Sequence, residues 1–156
     1  AVGGSEELMD VVTSGRVYQV GTFNGNPLSM AAARANLERV MTPEAYVRLE
    51  ELNRKLTAGV DAVHAKYGVP FRTVGIRSKG CVHLTDEPIT DYDSYVRLQD
   101  QQLIKLAWYY AFNRGVLTSS GREVGWTLSV QHTDDDVARY VAFYDELISD
   151  VTDTAC

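Results

Sequence analysis

Cysteine is almost missing from this chain: Cys81 and Cys156 are its two thiols, and they lie far apart. A disulfide framework is not expected, and the composition suits a reducing cytoplasm. Long apolar runs are missing too. None approaches the roughly 20 residues a membrane span requires, and no amino-terminal signal of basic then apolar residues is present. Positive charge is in deficit, with 15 Lys and Arg against 21 Asp and Glu and a net charge of −6. The signs are interleaved, so neither nucleic acid nor an anionic membrane finds the basic field it needs. There is no Gly-x-Ser-x-Gly elbow and no phosphate loop ending in Gly-Lys-Ser or Gly-Lys-Thr. His64, His83 and His132 show no metal-ligand spacing. Internal repeats and low-complexity segments are also missing. The chain opens "AVGGSEELMDVV" without methionine, and Ala1 to Gly4 read as the end of a strand and its turn. It is expected to be the remainder of something longer.

What is present is an ordinary globular composition, 45% apolar and 23% charged over 156 residues, enough for one domain with a sizeable core. A short helix is predicted from Ser5 to Val12, with Ser5 as cap and Glu6 and Glu7 in its first turn. A second begins at Asn26-Pro27, cap and first position, and runs to about Val40. Its small face, Ala31, Ala32 and Ala35, predicts close packing against another backbone. Thr42-Pro43 restarts a helix that ends near Tyr67-Gly68, with Tyr46, Leu49, Leu52, Leu56, Val60 and Val63 at helical spacing. "FRTVGIRSKGCVHLT" then reads as two extended segments. A helix is predicted from about Tyr92 to Arg114, burying Leu98, Leu103, Leu106, Tyr109 and Tyr110, with Gly115 just past its end. "GVLTSS" and "GWTLSV" read as short strands around a Gly121-Arg122-Glu123 turn. The last helix starts after Thr133 and buries Val137, Tyr140, Val141, Tyr144 and Ile148. The fold class is α/β, helices packed against a small sheet.

Few residues offer chemistry. Cys81 in "KGCVHL" reads as a small core residue rather than a nucleophile. Asp134 to Asp136 read as helix-terminal charges. Lys79, beside Gly80, is a turn lysine or a reactive amine. The corner "VGTFNGNP", residues 20–27, is read two ways. It is a loop that caps the next helix, or Thr22 and the backbone N–H groups beside Gly21 hold a phosphate oxygen without any cation.

"VYQVGTFNGNPLSMAAARANLE" resembles the Gly-Thr…Gly-Asn-Pro…Ala segment of class-III pyridoxal-phosphate-dependent aminotransferases, especially glutamate-1-semialdehyde aminomutases. The opening is similar to the stretch that follows the family's cofactor lysine, and "GVLTSS…GWTLSVQHTDDDVARYVAFYDEL" to its C-terminal end. The resemblance covers residues 1 to about 150, in order. It implies the fold-type I scaffold: residues 1–27 as the tail of the large cofactor-binding domain, 28–66 as connecting helices, and 67–156 as the C-terminal small domain. It also implies pyridoxal 5′-phosphate as cofactor, an amino acid or amino aldehyde as substrate, and a homodimer. Thr22 would reach the cofactor phosphate of the neighbouring subunit, with Gly21 admitting the close approach.

The departures matter as much. The family's Schiff-base lysine, the aspartate on the pyridine nitrogen and the stacked aromatic ring all lie upstream of this region. Lys55, Lys66, Lys79 and Lys105 do not follow the lysine motif, so no catalytic residue is assigned here and the chain alone is not expected to transaminate. Arg122 lies where some family members place a substrate-side arginine and aminomutases a glutamate. It is a candidate carboxylate clamp, or a turn residue paired with Glu123. Arg77 is a weaker candidate, more suited to a strand-end surface charge. Two readings remain: a C-terminal part of an aminotransferase or aminomutase, completed by its missing N-terminal segment, and a catalytically inactive module for oligomerisation or binding.

Overall fold

A computed structural model describes residues 2–119 and 121–154. The chain divides into two compact units, residues 1–40 and 41–156.

In the first unit, helix α1 (Glu6–Thr13) starts on Ser5, whose hydroxyl accepts from Leu8 N–H at 3.4 Å. Helix α2 (Pro27–Ala35) starts on Asn26, whose Oδ1 accepts from Leu28 and Ser29 N–H at 3.0 and 3.1 Å. A π-helical turn, Asn36–Val40, continues it. The alanine face finds no close partner among the described residues. Ala31 and Ala32 are exposed and Ala35 is half-buried, and neither α1 nor α2 holds a buried residue.

The second unit carries the core. Helix α3 (Pro43–Tyr67) is capped by Thr42 and stops at Gly68, whose left-handed φ of 64° suits a residue without Cβ. Strands β1 (Arg72–Ile76), β2 (Lys79–His83) and β3 (Val124–Thr127) form an antiparallel sheet in that order. Helix α6 (Asp134–Thr154) follows Thr133, which exchanges hydrogen bonds with Asp136 in the first turn. α3 packs along α6 and across β1. The α3–α6 crossing is close at Gly59, where a Cβ would sit 2.6 Å from Val141 Cγ2. Leu52, Leu56, Val60, Tyr144, Leu147 and Ile148 fill the space between them.

Four expectations need correction. The predicted helix 92–114 is two: α4 (Tyr92–Leu98) and α5 (Gln101–Asn113). Between them Gln99 is extended, with Oε1 accepting from Leu84 N–H at 3.2 Å, and Asp100 caps α5. The buried stripe of α5 is Ile104, Ala107 and Ala111, whereas Leu106 and Tyr109 are exposed. Tyr46 is exposed as well. "GVLTSS" forms no strand over its described residues 115–119, and Ser120 lies outside them.

Candidate functional site

The Gly-Thr corner is built from two overlapping turns. Asn24 N–H donates to Gly21 O at 2.9 Å, and Asn26 N–H donates to Phe23 O at 3.1 Å. Gly25, with φ 71°, takes the conformation that L side chains rarely adopt. Gly21 is required for a different reason. A Cβ there would lie 2.7 Å from Asn24 Oδ1, so the asparagine side chain folds back over the glycine. Thr22 is left exposed at the bend, and its hydroxyl and N–H make no hydrogen bond among the described residues. The capping reading holds, since Asn26 and Pro27 start α2, and Thr22 presents neutral donors outward. With no carboxylate between Val20 and Pro27, these donors fit a phosphate oxygen.

In the second unit, Arg122 sits on the bend before β3, with an exposed side chain. Its carbonyl accepts from Tyr95 Oη at 2.7 Å, which pins the bend to α4. The expected pairing with Glu123 is not formed among the described residues. Glu123 folds over Gly125 instead, where a Cβ would meet its Cγ and Cδ at 3.1 Å. The Arg122 guanidinium makes no ion pair among the described residues. Arg77 occupies the β1–β2 turn at φ 52°, exposed.

Two of the four lysines are held in ion pairs. Lys55 Nζ lies 2.7 Å from Asp134 Oδ1 and Lys66 Nζ 2.8 Å from Asp145 Oδ1, and these hydrogen bonds raise both above the ordinary lysine range. Lys79 and Lys105 are exposed on β2 and α5. Among the described residues no group of His, Cys, Asp and Glu is arranged to hold a metal ion.

Sequence reasoning missed three features. Cys81 and His83 alternate onto one face of β2, and Glu123 stands close enough to act on both. Burial pushes the half-buried Cys81 thiol up and Glu123 adds to it, so it stays protonated and unreactive. Burial, then Arg72, push His83 down. The i, i+2 spacing was the available signal. His64 is buried, with Nε2 2.9 Å from Tyr144 Oη. A cleft of ≈ 450 Å³ has Leu56, Trp126 and Tyr140 at its floor and His132, Asp136 and Arg139 at its rim. Its rim follows from "SVQHTDDD": Ser129 N–H donates to His132 Nδ1 at 2.9 Å and Thr133 opens α6.

No protein-family model matches the chain. It is 32% identical over 142 residues to a glutamate-1-semialdehyde 2,1-aminomutase of Brevibacillus brevis, across 90% of this chain and 33% of that protein. Among solved structures, a β-phenylalanine aminotransferase from Variovorax paradoxus superposes with a TM-score of 0.80 at 31% identity, over 95% of this chain and 34% of the other. An ω-transaminase from Sphaerobacter thermophilus gives a TM-score of 0.80 at 28% identity, with 95% and 34% covered. The chain thus spans about a third of the length of the curated relatives it matches. Its fold is that of the fold-type I aminotransferases, and it matches the C-terminal part of the glutamate-1-semialdehyde aminomutases.

Proposed function

We propose that the chain is the C-terminal part of a class-III pyridoxal-phosphate-dependent aminotransferase or aminomutase, working as a homodimer in the cytoplasm on an amino acid or amino aldehyde. Identity of 32% to an aminomutase across 90% of the chain is the observation that carries this reading. In the proposed arrangement residues 1–27 close the large domain, 28–66 connect, and 67–156 form the small domain. α3 then both connects and supplies a wall of the small domain's core. Pyridoxal phosphate, when bound, supplies the electron sink for bond breaking at the amino carbon.

This chain's own residues do the holding. Thr22 donates its hydroxyl and N–H to a phosphate oxygen of the neighbouring subunit's cofactor, and Gly21, without a Cβ, leaves room for the Asn24 side chain that folds over it. Arg122, free of Glu123 and fixed through its carbonyl by Tyr95, offers a planar fork to a substrate carboxylate. The chain holds no lysine in the family's motif, so by itself it forms no covalent bond to the cofactor.

Borohydride reduction of the purified chain with added pyridoxal phosphate, followed by intact mass, tests the last point. A mass remaining near 17.3 kDa is expected, and a stoichiometric adduct on one lysine refutes it. In the complete enzyme, Thr22→Val is expected to weaken cofactor retention about 10- to 100-fold, the loss of one hydrogen bond to a charged group. Unchanged retention removes Thr22 from the site. The second reading, an oligomerisation or binding module without catalysis, is favoured by the exposed apolar side chains Tyr18, Phe23 and Leu28 of the first unit.

A further inference from the structure

Beside the segment that enters β3, two polar atoms are buried without a partner among the described residues: Trp108 Nε1 on α5 and Tyr140 Oη on α6. Buried polar groups in folded proteins are almost always paired, so each orphan calls for an explanation. Tyr140 is only 6% exposed, and burial raises its hydroxyl far above the usual phenol range, holding it neutral. Both residues line one pocket of ≈ 10 Å³, together with Thr118, Glu123, Val124, Gly125, Ala107 and Phe143. That volume is about the minimum for a single water. We propose that this pocket is an ordered-water site bridging Trp108 Nε1, Tyr140 Oη and the Glu123 carboxylate.

The chemistry of the lining selects the ligand. An indole N–H is a donor only, so it opposes a metal ion or ammonium. The carboxylate opposes an anion. The volume admits no second heavy atom. Water accepts from Trp108, donates to Glu123, and exchanges one bond with the Tyr140 hydroxyl, reaching the three bonds typical of a buried water. The absent Cβ of Gly125 is what permits the Glu123 side chain to fold this way, since a Cβ would stand 3.1 Å from its Cγ and Cδ. The water then ties α5, α6 and the segment entering β3 together. Nothing in this site depends on a cofactor or on Arg122 meeting a substrate.

The chain carries its own control. Its other tryptophan, Trp126, donates its indole N–H directly to Asn53 Oδ1 at 2.7 Å. In water-selective NMR of the full ¹⁵N-labelled, deuterated chain, the Trp108 indole proton is expected to show a cross-peak to long-lived water, and the Trp126 indole proton none. Tyr140→Phe, which keeps the ring and removes the hydroxyl, is expected to weaken that cross-peak by several-fold while the Trp126 resonance stays in place. Absence of a water cross-peak at Trp108 in the unsubstituted chain overturns the site. So does a direct contact of the Trp108 indole proton with the Tyr140 hydroxyl proton in place of the water signal, because the groups then pair without it.

Discussion

Gly80 lies under the indole of Trp126: a Cβ at this position would stand 2.3 Å from Cζ2 and 2.9 Å from Nε1. The ring is held there by Asn53, whose amide also donates to Lys79 O at 3.2 Å, joining α3, β2 and β3 through one side chain. Gly80→Ala therefore forces the ring out and breaks a buried hydrogen bond. The expected cost is about 3 kcal/mol, combining overpacking with an unpaired buried donor. A urea titration with tryptophan fluorescence reads this as a lower midpoint, and a midpoint within error of the parent chain refutes the packing described. His64 carries the acid sensitivity at the same scale. Burial pushes it below the ordinary imidazole value, and Asp61 opposes this only partly. The unfolded chain takes up the proton first as pH falls. The contribution of neutral His64 is thus present above about pH 6.5 and is lost as pH drops through the depressed folded value. His83 is shifted in the same direction by burial and Arg72, so part of the slope is its own. His64→Gln is expected to shrink the difference in urea midpoint between about pH 8 and about pH 5.5. An unchanged difference would assign the whole slope elsewhere.

At the scale of elements, the break between α4 and α5 makes the sharpest case. Asp100 Oδ1 accepts from Gln102 and Leu103 N–H at 2.8 and 3.0 Å, so it supplies the start of α5 that Gln99 cannot. Asp100→Ala is expected to lower stability by about 1 kcal/mol, with helical circular dichroism nearly unchanged before the transition. A gain in stability would mean that a continuous helix is the better solution. What was legible in the sequence here was what is decided locally. Ser5, Asn26-Pro27, Thr42-Pro43, Gly68, Gly115 and Thr133 mark helix ends because a cap needs only its own few residues. The break was not legible because it is set from a distance, through Gln99 Oε1 and the Leu84 N–H. The buried face of α5 was misjudged for a related reason. Ala107 and Ala111 are small enough to face the rest of the core, and that choice lies in the partner surface rather than in the helix. For the candidate site, the turn chemistry of Gly21 to Pro27 could be read directly. The freedom of Arg122 from Glu123 could not, since it depends on Gly125 leaving room for the glutamate.

For the molecule as a whole, the two units differ in how far they satisfy themselves. Residues 41–156 enclose a contiguous apolar core reaching from Leu49 to Ile148. Residues 1–40 place no buried residue on α1 or α2 and leave Tyr18, Phe23 and Leu28 at 85%, 75% and 81% exposure. A segment of that size does not stabilise itself by burial, and apolar side chains presented together mark a surface that another surface covers. The proposed enzyme and the oligomerisation module agree on this point, because each covers the Phe23–Leu28 stretch with polypeptide outside residues 1–156, the large domain and neighbouring subunit in one case and a partner in the other. The isolated chain is therefore expected to self-associate as its concentration rises, giving sedimentation coefficients above those of a 17.3 kDa monomer. Phe23→Asp combined with Leu28→Asp places two charges on that surface and is expected to restore the monomer. The core of residues 41–156 should keep its urea midpoint, since neither position belongs to it. If the doubly substituted chain associates as strongly as the parent, the sticky surface lies elsewhere, and the Gly21–Pro27 corner loses its place at an interface between polypeptides. If it is monomeric with an unchanged midpoint, the corner's neighbours are the contact, and Thr22 stands at the edge of the surface from which it would reach another subunit's phosphate.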